Sequence, residues 1–211
     1  MIVLRRHALA RLAEAPDADG DADLQRAAGW HAAGRPFVVT RRRDADTAIG
    51  LGFCTTDPAH PELRPRRVAA RTWVSSIVSI TPPPMLDDIA AIPEAADHAA
   101  SFAHLRQAAV AAGIEIRVYG SWMWQALTGE RHVHRTSDLD ILVEVTSTAA
   151  ADGAAAFLRQ LEPFLAFRLD GELSFPGRGE VNWREYAQDR TDVLLKSIDT
   201  MRLTPRSELA A

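Results

Sequence analysis

The chain has 211 residues, 47% of them hydrophobic and 25% charged, with a formal net charge of −4 at pH 7. This composition excludes an intrinsically disordered chain, a collagen-like repeat and a disulfide scaffold. It also argues against non-specific nucleic-acid binding, which usually requires a strongly positive protein. We expect a soluble, cytoplasmic protein, because Cys54 is the only cysteine and no run of about 18 apolar residues could span a membrane.

The first third of the chain is predicted to form a small β-rich domain. The expected helices cover residues 4–14 and 21–33, and the expected strands cover residues 35–40, 48–53 and 68–80. The run from Thr81 to Pro84 can neither continue a strand nor lie inside a helix, because proline lacks an amide proton. We therefore predict two domains, 1–85 and 86–211.

The second part alternates strands and helices, as in an α/β (α+β) domain with a mixed sheet and flanking helices. Phe102, Leu105 and Ala109 recur at helical spacing, and Gly113 follows where a helix ends. Further strands are expected at 114–119, 139–145, 164–173 and 193–197, and further helices at 121–127 and from the Ser147 cap to 161.

Two carboxylates lie at the start of one of these strands, in the segment Ser137-Asp138-Leu139-Asp140. Because strand side chains alternate between faces, Asp138 and Asp140 are predicted to point the same way. Two like charges at close range favour a cation between them. Hard oxygen ligands indicate magnesium, with manganese as the alternative.

A second feature precedes this pair, at the junction of a predicted strand and helix. Gly120 permits close approach of the backbone to a ligand, and the free amides that begin at Ser121 would face an anion. A phosphate-binding turn beside metal-binding carboxylates indicates phosphoryl or nucleotidyl transfer.

This order of motifs resembles the nucleotidyltransferase superfamily, whose signature is a Gly-Ser turn, an Asp-x-Asp strand and a third carboxylate on a later strand. The resemblance implies a nucleotidyltransferase-like palm, preceded here by the small β-rich domain. Asp170 is the preferred third carboxylate for catalysis and metal binding, followed by Glu172 and, more distantly, Glu180.

A longer string of motifs, strongest from residue 114 to 200, looks like the holo-acyl-carrier-protein synthases of malonate decarboxylase, or phosphoribosyl-dephospho-CoA transferases. The motifs are Gly120-Ser121-Trp122-Met123-Trp124-Gln125, Leu127-Thr128-Gly129, Ser137-Asp138-Leu139-Asp140, Asp170-Gly171-Glu172, Trp183-Arg184-Glu185 and Val193-Leu194-Leu195-Lys196. The resemblance implies transfer of the prosthetic group from triphosphoribosyl-dephospho-CoA to a serine of the acyl carrier subunit, with release of pyrophosphate.

In that scheme Asp138 and Asp140 would bind magnesium, and Gly120 and Ser121 would bind the triphosphate. Lys196 or Arg135 would place a positive charge against the phosphates, or would be a solvated surface cation.

The front domain is locally basic although the whole chain is acidic. Between residues 35 and 71 the balance is +4, since eight arginines outnumber Asp44, Asp46, Asp57 and Glu62; the arginines are residues 35, 41, 42, 43, 64, 66, 67 and 71. Such a patch would attract the phosphates of a CoA-like donor or an acidic carrier protein. The alternative is a solvated arginine-rich loop.

Two other functions compete with carrier modification. A nucleotidyltransferase of this fold could act on nucleic-acid ends, or on another protein as an antitoxin does; the acidic net charge disfavours nucleic acid. A binding module whose metal site has decayed is disfavoured by the intact Asp138 and Asp140 pair.

Overall fold

Two six-stranded sheets, each covering its own hydrophobic core, organise the chain. The computed structural model describes residues 3–42, 48–57, 59–60, 63–188 and 190–209. Arg43, Asp44, Asp46 and Glu62 of the basic patch lie outside the described residues. Among the helices that are described, none has the length and apolar character needed to cross a membrane.

The first sheet belongs to the N-terminal unit, which ends at Thr81. Its elements are β1 (Leu9–Leu12), β2 (Asp17–Ala18), α1 (Asp21–Ala32), β3 (Phe37–Val39), β4 (Ile49–Thr55), β5 (Arg66–Thr72) and β6 (Ile77–Thr81). The strands are antiparallel in the order β2-β5-β4-β3-β1-β6. The α1 helix packs beside β2 and β5, with Ala27 and Trp30 buried.

The helix predicted at residues 4–14 is wrong, because β1 occupies part of this segment. Leu9 and Ala10 pair with β3 on one side and β6 on the other, and both are buried. The apolar pattern of the segment is weak in local sequence, and pairing with two distant strands decides its conformation. The strands expected in this third are present as β3, β4, β5 and β6.

The second sheet belongs to the C-terminal unit, which begins at Met85. Its elements are α2 (Leu86–Ala90), α3 (Ala99–Ala112), β7 (Arg117–Tyr119), α4 (Gly120–Thr128), β8 (Leu139–Glu144), α5 (Thr148–Leu161), β9 (Leu169–Phe175), β10 (Gly179–Asn182), α6 (Trp183–Tyr186), β11 (Asp192–Lys196) and β12 (Met201–Pro205). The order is β12-β11-β10-β9-β8-β7; only β8 and β9 are parallel. The predicted α+β class with a mixed sheet is confirmed.

Local sequence explains where several of these elements begin and end. The Ser147 hydroxyl accepts a hydrogen bond from the Ala150 amide and caps α5. Gly113 ends α3 in the left-handed conformation. The strand predicted from residue 164 begins only at Leu169, because Glu162–Phe164 forms a 3-10 turn that contains Pro163.

The α4 helix joins the two units, because its side chains enter both cores. Trp122 is buried in the core of the C-terminal unit, whereas Met123 and Trp124 are buried in that of the N-terminal unit. Trp124 meets Trp30 edge to face, with ring centroids 5.4 Å apart. The start of α4 is thereby fixed between the two units. The boundary predicted at residue 85 stays a prediction.

Candidate functional site

The predicted carboxylates come together on two neighbouring strands. Asp140 of β8 is in register with Asp170 of β9, and Asp138 directly precedes β8. Leu139 and Ile141, which alternate with the aspartates, are buried in the core, so Asp138 and Asp140 share the opposite face. The structure thus places Asp170, rather than Glu172 or Glu180, beside Asp140.

Arg168, a cation that the sequence reasoning missed, contacts both Asp138 and Asp170. Its guanidinium lies 3.1 Å from Asp138 Oδ2 and 3.9 Å from Asp170 Oδ2. Its side chain is 55% exposed, so it can move to other partners. The sequence signal that could have identified Arg168 is its position two residues before Asp170, which puts both side chains on the same face of the strand.

Asp170 is held in place by hydrogen bonds to one of its oxygens. Oδ1 accepts from the Gly171 amide at 2.8 Å and from Asn182 Nδ2 at 3.1 Å. Asn182 also caps α6, since its Oδ1 accepts from the Arg184 amide. Asn182 therefore fixes the orientation of Asp170, and no spacing in the sequence indicated this role.

The predicted Gly-Ser turn lies against the same aspartates. Gly120 begins α4 with φ 71°, and Tyr119 before it pairs with Asp140 across β7 and β8. A Cβ at Gly120 would overlap the Asp140 carboxylate, 2.8 Å from its Cγ. Only glycine permits this approach. The start of α4, with the partly buried Ser121, is adjacent to the carboxylates, as an anion seat requires.

The electrostatics of Asp140 reflect its burial and its acidic neighbours. The pKa of the Asp140 carboxyl is raised to about 7. Burial has the largest effect, and the charges of Asp170 and Asp138 add to it. Arg67 and Arg168 act in the opposite direction. The site therefore concentrates negative charge at one partly buried point.

The donor chemistry of the three aspartates fits a hard divalent cation. Carboxylate oxygens suit magnesium, and the repulsion that raises the pKa of Asp140 would be relieved by a cation. Among the described residues, however, no three His, Cys, Asp or Glu side chains already stand in metal-binding geometry. Arg168 holds Asp138, so this arginine would have to release it for all three aspartates to bind one ion.

Two of the predicted site residues, Glu172 and Lys196, lie in a neighbouring, partly buried group with Arg6, His7 and Glu180, here called the inter-unit cluster. Lys196 Nζ donates to Glu172 at 3.1 Å, and Arg6 donates to Glu172 at 3.0 Å and to Glu180 at 3.1 Å. Both glutamates are at most 5% exposed. In this structure Lys196 therefore neutralises a protein carboxylate, and it is the N-terminal Arg6 and His7 that reach into the C-terminal unit.

His7 ties this cluster to the Gly-Ser turn. Its Nε2 lies 2.7 Å from Glu172, and its ring stacks on Tyr119, the residue before Gly120, with centroids 4.0 Å apart. Burial lowers the pKa of His7. Burial alone would raise the pKa of Glu172, but His7 and the charges of Arg6 and Lys196 lower it below its usual range. Glu172 is therefore ionised and fully engaged.

Arg135 has a different environment. It lies exposed in the turn before Asp138, and within the described part of the chain it forms no ion pair. Of the predicted site residues, the structure brings together Asp138, Asp140, Asp170, Gly120 and Ser121. Arg135 lies in the turn that leads to Asp138. Glu172 and Lys196 lie at the contact between the units.

Glu180 makes the stability of the inter-unit cluster dependent on pH. Burial raises its pKa to about 7 from the ordinary 4.5, despite Arg6. When folding raises the pKa of a carboxyl, its protonated form stabilises the folded state. This stabilisation is complete below pH 4.5 and is lost as the pH rises through 7. We expect Glu180→Gln to remove this decline, on the order of 3 kcal/mol in the free energy of unfolding. Urea unfolding between about pH 4.5 and pH 8 measures it.

Exposed Glu94 provides the matched control. Glu94→Gln should leave the pH profile of the wild type unchanged. Identical pH profiles for Glu180→Gln and the wild type would contradict the raised pKa.

Comparison with known families covers both units. The family model of the phosphoribosyl-dephospho-CoA transferase MdcG C-terminal domain matches residues 85–207, and that of the MdcG N-terminal domain matches residues 5–83. The chain belongs to the MdcG family of phosphoribosyl-dephospho-CoA transferases. The resemblance inferred from the motifs is confirmed, and so is the prediction of a transferase.

Individual members of the family align with most of the chain. A phosphoribosyl-dephospho-CoA transferase of Xanthomonas campestris pv. campestris (strain 8004) is 38% identical over 213 residues, covering 97% of this chain and 95% of the relative. One of Bradyrhizobium diazoefficiens is 33% identical over 162 residues, covering 77% of this chain and 70% of the relative. No solved structure matches the chain.

Proposed function

We propose that this MdcG-family protein transfers the phosphoribosyl-dephospho-CoA group from its triphosphate precursor to a serine of the apo acyl carrier subunit of malonate decarboxylase. The single observation that supports it most is the position of Asp140 and Asp170 side by side against the Gly120 turn. This arrangement suits a reaction at a polyphosphate, because it combines acidic ligands with free helix amides.

In the proposed reaction the oxygen of the carrier serine attacks the phosphorus nearest the ribose. A phosphodiester forms to the serine, the bond to the next phosphate breaks, and pyrophosphate leaves while the hydroxyl releases its proton. The Gly120 and Ser121 amides at the start of α4 would hold the phosphate chain. Asn182 would keep Asp170 aimed at the reacting groups.

Magnesium is the proposed cofactor, with manganese as the alternative, and Asp138, Asp140 and Asp170 would hold it. When bound, the ion would supply charge neutralisation at the phosphates and acidify the serine hydroxyl. The chain itself contributes the oxygen ligands and Arg168, which balances Asp138 while the ligands are free.

The direct test measures the mass of the acceptor. The protein would be incubated with triphosphoribosyl-dephospho-CoA, magnesium and the apo carriers of malonate decarboxylase and citrate lyase in separate reactions, and each carrier weighed by mass spectrometry. We expect the malonate decarboxylase carrier to gain one prosthetic group, with one pyrophosphate released per group. An unmodified carrier, with labelled nucleotide transferred from ATP or CTP to RNA instead, would overturn the proposal in favour of a nucleic-acid substrate.

A further inference from the structure

The arginines of the basic patch in the N-terminal unit are mostly occupied by protein carboxylates. Arg35 pairs with Glu130 at 2.6 Å, Arg42 with Asp199 at 3.3 Å, Arg66 with Asp23 at 2.9 Å, and Arg71 with Asp17 and Asp19 at 2.8 and 2.9 Å. The patch as a whole is therefore not a free anion-binding surface. The N-terminal unit contacts the strand that leads into the Gly-Ser turn through another residue, His7.

His7 lies on the face of the second sheet that carries the aspartates. Tyr119 of β7, Asp140 of β8 and Asp170 of β9 stand opposite one another in register, so their side chains share one face. Glu172 shares this face because it follows Asp170 by two residues. The His7 ring stacks on Tyr119 with centroids 4.0 Å apart, and its Nε2 lies 2.7 Å from Glu172 Oε2. His7 therefore bridges β7 and β9, the two strands that flank the strand of Asp140.

The backbone of His7 is strained, and the N-terminal unit holds it in place. Among the described residues, His7 is the only one other than glycine with a positive φ, 65°. Its amide donates to the Val39 carbonyl of β3 at 3.0 Å, and the Val39 amide donates to the Ala8 carbonyl at 2.8 Å. A strained conformation of this kind persists only where the surrounding contacts enforce it, and such residues cluster at functional sites. The first sheet thus directs the His7 ring onto the second unit.

Tyr119 connects this ring to the phosphate-binding turn. Although it ends β7 of the second sheet, its side chain packs against the core of the N-terminal unit. The next residue is Gly120, whose backbone approaches the Asp140 carboxylate so closely that a Cβ would lie 2.8 Å from Cγ. A shift of the Tyr119 ring would therefore move the turn relative to Asp140 and redirect the free amides at the start of α4.

We propose that His7 is a positioning residue for the phosphate site: by stacking on Tyr119 it holds the Gly120 turn against Asp140, so that the N-terminal unit sets the geometry in which the triphosphate of the donor binds. This inference rests on the proposed function for the identity of the donor. The hydrogen bond to Glu172 fixes the rotation of the His7 ring, and the stacked rings carry its position to the turn.

The first test removes the His7 ring without adding backbone strain. His7→Asn is suitable because asparagine tolerates the left-handed conformation. Binding of inorganic triphosphate in the presence of magnesium, measured by calorimetry without carrier, should weaken about tenfold with unchanged stoichiometry. In the transfer assay KM for the donor should rise about tenfold, while KM for the carrier stays the same. A purely structural role would instead lower the stoichiometry, because unfolded protein binds nothing, and that result would overturn the proposal.

The second test asks whether His7 acts through Tyr119. Tyr119→Leu should also weaken triphosphate binding about tenfold, and Tyr119→Phe, which keeps the ring, should restore most of the affinity. The double variant His7→Asn/Tyr119→Leu should bind no more weakly than either single variant, because residues that act as one unit have non-additive effects. Losses that multiply in the double variant would show that the two residues act independently and would overturn the proposal.

Arg5 provides the matched control in the same N-terminal segment. It pairs with Glu144 of β8 at 2.5 Å, and both side chains are largely exposed. Arg5→Ala removes this contact with the second sheet and leaves the stacked rings intact, so triphosphate affinity and donor KM should match those of the wild type. Thermal unfolding checks that every variant is folded at the assay temperature.

The outcomes separate this inference from the proposed function. Unchanged triphosphate affinity and donor KM in His7→Asn, with an active wild type, would overturn the role of His7 and leave the function standing. Triphosphate affinity that falls in His7→Asn and is non-additive with Tyr119→Leu, in a protein that modifies no carrier, would uphold the role and overturn the function. A wild type that does not bind triphosphate would overturn the role.

Discussion

Replacing Asp140 by asparagine is expected to reduce transfer to the carrier about a thousand-fold, equivalent to ~4 kcal/mol of transition-state stabilisation. Asparagine keeps the size of the side chain and removes the negative charge at the centre of the acidic group. The loss should appear in kcat, as measured by the rate of carrier mass gain at saturating donor. Because burial and two neighbouring aspartates disfavour the charge of Asp140, the variant should be at least as stable as the wild type.

The expected gain in stability distinguishes a chemical role from a folding defect. Exposed Asp97, in a 3-10 turn before α3, provides the control; Asp97→Asn should change neither activity nor melting temperature. A fully active Asp140→Asn protein would remove the basis for the aspartate site. An inactive variant with a melting temperature far below that of the wild type would assign the residue to folding.

Replacing Gly120 by alanine is expected to reduce transfer about a hundred-fold, because displacement of reacting groups by about 1 Å has effects of this size. The added methyl group would overlap the Asp140 carboxylate and force either the carboxylate or the start of α4 to move. The left-handed φ of 71° adds a strain of about 1–2 kcal/mol. Steady-state kinetics together with thermal unfolding would separate the two effects.

Gly129 offers a closely matched control at the other end of the same helix. It has φ 69°, so alanine there meets the same backbone strain, but its added Cβ would have no neighbour within 4 Å. Gly129→Ala should therefore lose about 1–2 kcal/mol of stability and retain its activity. Equal loss of activity in the two variants would show that strain in α4, and not contact with Asp140, is responsible.

The aspartate pair could be predicted from sequence because its geometry is local. Strand alternation is sufficient to put Asp138 and Asp140 on one face, and the buried Leu139 and Ile141 between and after them fix which face that is. The Gly-Ser turn is likewise a junction between consecutive elements. Spacing alone could not choose between Asp170 and Glu172, since both lie on one face of β9; the register with β8 puts Asp170 beside Asp140.

The parts of the site that sequence reasoning missed depend on contacts between distant segments. His7 and Glu172 are 165 positions apart, and no local pattern indicates that the N-terminus crosses to β9. The Asn182 amide reaches Asp170 only because β9 and β10 pair. The prediction that Lys196 places its charge against phosphate likewise did not account for Glu172. This buried carboxylate requires a positively charged partner, and Lys196 donates a hydrogen bond to it.

The arrangement of α4 has a consequence for the physical independence of the two halves. A fragment beginning near residue 85 would expose Met123 and Trp124, now 1% and 5% exposed, while the remaining fragment would lose part of its own interior. Each half completes the other's hydrophobic packing, so heating the intact chain should melt both in one cooperative transition. We therefore expect the two segments matched by separate family models to behave as a single thermodynamic unit.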